Sequence, residues 1–272
     1  MKIKIGMIGI GNMGGALLRG VCGKIGGGEI GVCDMDRIRV AAACVEYGCT
    51  DCTSAEIAES ARYIFLCVKP QAMASMLSGI KETLAERAVK GERFVLISIA
   101  AGLTIETIQT MAGGAYPTIR IMPNIPAAVG EGMILCAHTA DVTEAELAEF
   151  TGFMEYTGKL DSVSESLIDA GSALSGCGPA FVSMFIEALA DGAVACGLPR
   201  KKALLYAEQT LLGTAKYLME TETHPAVMKD NVTSPAGTTI QGVRALEENG
   251  FRGACMDAVI AAYERTVELG KK

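Results

Sequence analysis

Within its first fourteen residues the chain commits to a local geometry that few folds can use. An apolar run, Ile3–Ile8, leads straight into Gly9-Ile10-Gly11-Asn12-Met13-Gly14, and a helical pattern, Met13–Cys22, follows at once. In such a strand–turn–helix the first glycine makes the tight turn and the second lets backbone approach a diphosphate. The third permits close helix–strand packing. The helix N-terminus then presents unpaired N–H groups and the positive end of its dipole to an anion. Gly9, Ile10, Gly11, Asn12, Met13 and Gly14 are therefore expected to cradle a dinucleotide. Asp34 closes the second apolar run, Ile30–Cys33. A carboxylate there accepts hydrogen bonds from the adenine ribose and repels a 2′-phosphate, so the expected cofactor is NADH or NADPH, with Asp34 leaning toward NADH. Arg37, three residues on, is placed to reach a phosphate instead.

The pattern that follows supports a parallel sheet. Further apolar runs rich in β-branched and aromatic residues occur at Tyr63–Val68, Phe94–Ile99, Thr118–Met122 and Met133–Ala137, with helical patterns such as Ala72–Ala88 between the earlier ones. Strand, helix, strand at this spacing implies right-handed crossovers and a sheet covered on both faces, as the continuously apolar Ile64–Val68 requires. After about Asp161 the strand signals end. Long helical patterns run over Ser164–Gly197, Arg200–Thr221, Thr238–Asn249 and Gly253–Leu269, and residues 160–199 contain no Lys, Arg or His. Helices so apolar need a larger core than one small domain supplies. The expected fold is α/β: a Rossmann-type doubly wound sheet over residues 1–160, then an all-α domain over residues 161–272, shared between subunits.

Composition narrows the partners. A formal charge of −7 argues against nucleic acid and anionic membranes. The start of the chain shows no long apolar stretch or cleavage site, and the uncharged run Ala170–Ile186 falls short of a bilayer span. The expected location is cytoplasmic. The ten cysteines are scattered, and Cys49-Thr50-Asp51-Cys52 has no second CxxC or suitably placed histidine to complete a zinc set, so no metal is expected.

Ligands of a doubly wound sheet bind beyond the carboxyl ends of its strands. That places Val68-Lys69-Pro70, the segment around Ala100, and Pro123-Asn124 at the cofactor, with Lys69 free to reach ribose or phosphate. A second rich segment is Asp230–Ile240, where hydroxyls and small residues surround Pro235. Ser234 reads there as a helix N-cap and Pro235 as a first-turn residue, which makes a carboxylate site of backbone N–H groups. The two histidines supply no base: His138 reads as a surface turn residue and His224, before Pro225, as a loop residue.

Taken in order, Gly9–Gly14, Val68-Lys69-Pro70, Arg120-Ile121-Met122-Pro123-Asn124, Ser175-Gly176-Cys177-Gly178-Pro179-Ala180 and Asp230–Ile240 resemble the pyrroline-5-carboxylate reductase family over essentially the whole chain. The resemblance implies reduction of the imino acid Δ1-pyrroline-5-carboxylate to proline by NADH or NADPH. It also implies a homodimer through interwoven C-terminal helices, assembled in some members into a larger ring of dimers. Carried over residue by residue, it assigns Gly9–Gly14, Asp34, Val68, Lys69, Pro70, Ala100 and Asn124 to the cofactor. It assigns Ser234, Gly237, Thr238 and Thr239 to the substrate. Thr239, Ser234 and an acidic position at Glu222 are the catalytic candidates, with the Thr239 hydroxyl near the ring nitrogen. Two other readings compete. A hydroxyacid dehydrogenase of the related two-domain plan places a lysine on the long interdomain helix, and none lies between Lys159 and Arg200. A non-catalytic nicotinamide sensor gives the Ser234–Thr239 loop no purpose.

Overall fold

The structure, a computed structural model, describes residues 3–270. Eight strands form one sheet: β1 (Ile5–Ile8), β2 (Ile30–Cys33), β3 (Thr50–Asp51), β4 (Tyr63–Leu66), β5 (Val95–Ser98), β6 (Thr118–Met122), β7 (Gly132–His138) and β8 (Gly158–Ser162). Seven helices accompany them: α1 (Asn12–Ile25), α2 (Arg37–Tyr47), α3 (Ser54–Ser60), α4 (Pro70–Ser78), α5 (Lys81–Val89), α6 (Ile105–Ala112) and α7 (Glu144–Met154). The strand order is β3-β2-β1-β4-β5-β6-β7-β8, so the winding direction reverses between β1 and β4. Side chains alternate across a pleated strand, and here both faces are core. Ile5, Met7, Tyr63, Phe65, Val95 and Ile97 pack on one side with Leu17 and Val21 of α1 and Phe150 and Phe153 of α7. Ile64, Leu66 and Leu96 pack on the other with Ile57, Met73, Leu77 and Leu84 of α3, α4 and α5.

Helix α7 is also fixed electrostatically. Thr143 and Glu146 form a capping box, and the Glu146 side chain, 3 % exposed, accepts from Arg62 at 2.6 Å and Arg93 at 2.8 and 2.9 Å. The Arg93 guanidinium, with Thr143 assisting and burial opposing, holds the Glu146 carboxyl down at about 2.

Several elements differ from the sequence expectation. The Ala72–Ala88 pattern is two helices, because Gly79 and buried Ile80 interrupt it between α4 and α5. Strands β3 and β8 lie at the two edges, where one apolar face is not demanded and the sequence stays polar. β7 runs antiparallel to β6 while the other pairs are parallel. Its connection, with a short 3-10 turn at Ile125–Val129, is too short for a crossover. His138 is the last residue of β7, paired with Ile119, rather than a turn residue beyond it.

The chain divides into two compact units, one holding it through Gly176 together with the stretch from Tyr263 onward, the other holding Cys177–Ala262. After a 3-10 turn at Glu165–Leu167 come α8 (Ile168–Ser175), α9 (Gly178–Ala195), α10 (Arg200–Thr221), α11 (Pro225–Asn231), α12 (Thr238–Glu248) and α13 (Phe251–Gly270). The expected single helix Ser164–Gly197 is thus broken at Gly176-Cys177, with Pro179 in the first turn of α9, the position where a missing N–H is harmless. In the second unit, α9 and α10 meet through Ala190, Ala203 and Ala207. Little else there is covered: Met184, Leu212 and Met219 are all exposed. The helical run Glu165–Ala195 has a mean hydropathy of 1.4 in its most apolar window, of which 11 % is buried. By length and composition that run suffices to cross a membrane, which the uncharged stretch Ala170–Ile186 alone does not.

Candidate active site

The reversal between β1 and β4 opens a cleft at the carboxyl ends of these strands, as it does in doubly wound sheets generally. Its volume is about 760 Å³. Gly11–Gly14 form one wall, Val68-Lys69-Pro70 and Ile99–Ala101 the others, with Pro123 and Ile125 closing one side. At Gly9 and Gly14 nothing larger fits. Gly9 has φ +95°, and a Cβ on it would stand 2.9 Å from the Cys67 carbonyl carbon and oxygen. A Cβ on Gly14 would overlap the Gly9 carbonyl oxygen. Helix α1 begins at Asn12 with no side-chain cap and no acidic residue in its first turn, so its leading N–H groups remain available. The turn therefore fits a diphosphate: a backbone cradle, a helix dipole and no carboxylate in the first turn of α1.

Of the cofactor residues expected from sequence, Gly11, Asn12, Met13, Gly14, Val68, Lys69, Pro70 and Ala100 line this cleft, with Gly9 and Ile10 forming the turn beneath. Lys69 is exposed at the N-cap of α4 and makes no ion pair among the described residues. Asp34 stands beside the turn: its Oδ2 accepts the Ile10 N–H at 2.7 Å and its Oδ1 accepts the Asp36 N–H at 2.8 Å. Arg37 is turned away into an ion pair with Asp51 on β3. Asn124 is buried, its Nδ2 donating to the Ser175 carbonyl and its Oδ1 accepting the Met133 N–H, both at 2.9 Å. It holds the end of α8 against the start of β7. Arg120, also buried, pairs with Glu165 and Asp169 at 3.1 Å each.

Two titratable lining residues were not singled out as site residues in the sequence, Arg39 and Cys67. Burial pushes the Cys67 thiol up to about 12, away from the thiolate form. The titratable groups of the cleft are then Arg39, Cys67 and Lys69, with neither carboxylate nor imidazole among them.

In the second unit the Asp230–Ile240 segment corrects one expectation. Ser234 is not the cap of α12. Gly237 is, without any side-chain cap bond, and Ser234 instead opens a turn in which its carbonyl accepts the Gly237 N–H at 3.0 Å. Pro235 accordingly lies in that turn and not in the first turn of the helix. Ala236 completes it at φ +56°, a left-handed conformation rare for a residue with a Cβ. A Cβ on Gly237 would overlap the Ser234 hydroxyl oxygen, so glycine here keeps that hydroxyl in place. Thr238 and Thr239 are the first two residues of α12. Ser234, Thr238 and Thr239 are exposed, and their hydroxyls have no hydrogen-bond partner among the described residues. Glu222 is exposed in a left-handed conformation, φ +52°, at the end of α10. His224 caps α11, its Nδ1 accepting the Ala226 N–H at 3.2 Å. Among the described residues no cluster could hold a metal, and Cys49 and Cys52 are buried in packing.

Residues 165–269 match the family described as pyrroline-5-carboxylate reductase dimerisation, and residues 4–102 match the family described as NADP oxidoreductase coenzyme F420-dependent. Pyrroline-5-carboxylate reductase of Methanosarcina acetivorans is 42 % identical over 99 % of this chain and 98 % of its own length, and that of Escherichia coli 40 % identical over the whole of both. The chain belongs to the pyrroline-5-carboxylate reductase family. A solved pyrroline carboxylate reductase of Plasmodium falciparum with NADP bound superposes with a TM-score of 0.86 at 30 % identity, covering 98 % of each chain. Family membership accounts for the apolar exterior of α9 and α10, since the matched region is named for dimerisation.

Proposed function

We propose that the chain reduces the cyclic imine Δ1-pyrroline-5-carboxylate to L-proline with hydride from NADH or NADPH, the last step of proline biosynthesis. Two separate observations support this reading: a glycine cradle whose cleft is lined by no carboxylate or imidazole, and a hydroxyl-rich turn whose Ser234, Thr238 and Thr239 hydroxyls have no partner among the described residues. The dinucleotide, when bound, supplies the hydride. Gly9–Gly14 hold its diphosphate, Asp34 stands on its ribose side, and Val68, Lys69, Pro70, Ala100 and the Asn124 backbone shape its cleft. Ser234, Gly237 and Thr238, with the free N–H groups of α12, hold the substrate carboxylate. The Thr239 hydroxyl hydrogen-bonds the ring nitrogen while the imine carbon takes hydride, and the proton that completes the amine comes from water. A protonated or hydrogen-bonded imine needs no strong base, so positioning and that hydrogen bond lower the barrier. Glu222, at the end of α10 and separated from the Ser234–Thr239 loop by α11, supplies negative charge that favours the protonated nitrogen. The working form is a homodimer, extended to a ring of dimers, acting in the cytoplasm, with residues 161–272 as its substrate and dimerisation part. The long apolar run Glu165–Ala195 is covered by a second chain and not by lipid.

The test is oxidation of NADH and NADPH, followed optically, with Δ1-pyrroline-5-carboxylate and the purified protein. The expected result is rapid oxidation with proline as product. Cofactor binding without oxidation would overturn the reading, and turnover of hydroxyacids with NAD⁺ would replace it by a dehydrogenase.

A further inference from the structure

Four charged residues follow β2 within six positions, and the structure fixes the hydrogen bonds of each. Asp34 has both oxygens engaged by backbone, those of Ile10 and Asp36. Asp36 caps α2, its Oδ1 accepting the N–H of Ile38 at 3.1 Å and of Arg39 at 3.4 Å, while its Oδ2 accepts the Arg39 Nε at 3.1 Å. Arg37 is committed to Asp51. Of the four, Arg39 is the one that lines the cleft. Its Nη1 lies 3.5 Å from where a Cβ on Gly11 would stand, and it lines the same cleft as Gly11–Gly14 and Lys69. Because Asp36 holds Nε, the guanidinium is oriented, and its two terminal nitrogens have no hydrogen bond to any described residue.

We propose that Arg39 decides between NADPH and NADH, receiving the 2′-phosphate on its terminal nitrogens. Asp36 is the positioning residue that aims it, and Asp34 is the clasp of the fingerprint turn. The inference rests on the dinucleotide reading above. The adenine ribose of such a cofactor lies past the end of the second strand, where an arginine accommodates a 2′-phosphate, and the planar fork of a guanidinium matches phosphate oxygens two at a time. With Arg39 removed, the carboxylates of Asp34 and Asp36 would face the phosphate uncompensated, whereas NADH has no charge at that position to lose.

The experiment is titration of full-length protein with NADPH and with NADH in the absence of imine, by nicotinamide fluorescence and by calorimetry. Wild type, Arg39→Ala, Arg39→Lys and Arg37→Ala are compared. Arg39→Ala is expected to weaken NADPH binding about tenfold, the lower end for a half-exposed charge-assisted contact, and NADH binding by about twofold or less. Arg39→Lys should recover part of the NADPH affinity, and added salt should narrow the wild-type preference. Equal losses for both dinucleotides in Arg39→Ala, or an NADPH-specific loss in Arg37→Ala instead, overturn the proposal. Wild-type protein that binds neither dinucleotide would instead remove the reading of the cleft itself.

Discussion

The role proposed for Thr239 asks little chemistry of one side chain. Its hydroxyl is exposed at the second position of α12 with no partner among the described residues. If it steadies the imine nitrogen, Thr239→Ala should lower kcat about tenfold to a hundredfold and leave the Kd for dinucleotide within about twofold, measured by steady-state kinetics beside fluorescence titration. Unchanged kcat would take Thr239 out of the mechanism. Asp34 has a second task beside the ribose contact its position suggests. A ribose selector replaced by a small side chain should merely favour NADPH, but this carboxylate accepts two backbone N–H groups. Asp34→Ala is therefore expected to weaken both dinucleotides, by about tenfold, because the Ile10 N–H loses its acceptor inside the turn. A gain in NADPH affinity would restore the selector role. The fingerprint glycines were legible because each requirement is local to a few residues. Arg39 was not: which of the two arginines faces the cleft depends on Asp51, fourteen residues beyond Arg37, pairing with Arg37, and on Asp36 holding the Arg39 Nε.

Among the elements, α7 is the one whose attachment has a clear pH signature. The Glu146 carboxyl, held at about 2 by Arg93, has a folded value below its unfolded one, near 4.5. Its stabilisation is therefore fully present above about pH 4.5 and lost as the pH falls toward 2. Glu146→Gln should destabilise the protein at neutral pH by about 2 kcal/mol, with the difference from wild type closing as the pH is lowered through that window, read from denaturant midpoints. A gap independent of pH would assign the role of Glu146 to packing alone. The strands buried on both faces, β1, β4 and β5, announced themselves by composition. The edge strands β3 and β8 did not, since pairing on one side imposes little on side chains. Capping chemistry misled once: Ser234 before Pro235 has the residue types of a helix start, yet the left-handed Ala236 turns the chain first and delays α12 to Thr238.

At the scale of the whole molecule, the second unit has too small a core to account for its sequence. Met184, Leu212 and Met219 face outward from α9 and α10 in a region matched to a dimerisation family. Met184→Lys combined with Leu212→Lys should shift the protein to a monomer in sedimentation velocity and abolish most activity, while the sheet keeps its circular-dichroism signature. A dimer that survives both charges would place the interface on other faces of these helices.

The single buried residue of α9, Ala190, has one more consequence. When association supplies most of the solvent shielding of a helix, mass action enters its stability: melting temperature and residual activity depend on how concentrated the protein is. Dilution then becomes a denaturant. A nanomolar stock should lose activity on standing that a micromolar stock keeps, and an inert carrier that does not contact α9 should fail to protect it. Newly synthesised chains face the same arithmetic, so the yield of folded enzyme should rise faster than linearly with expression until partners are plentiful.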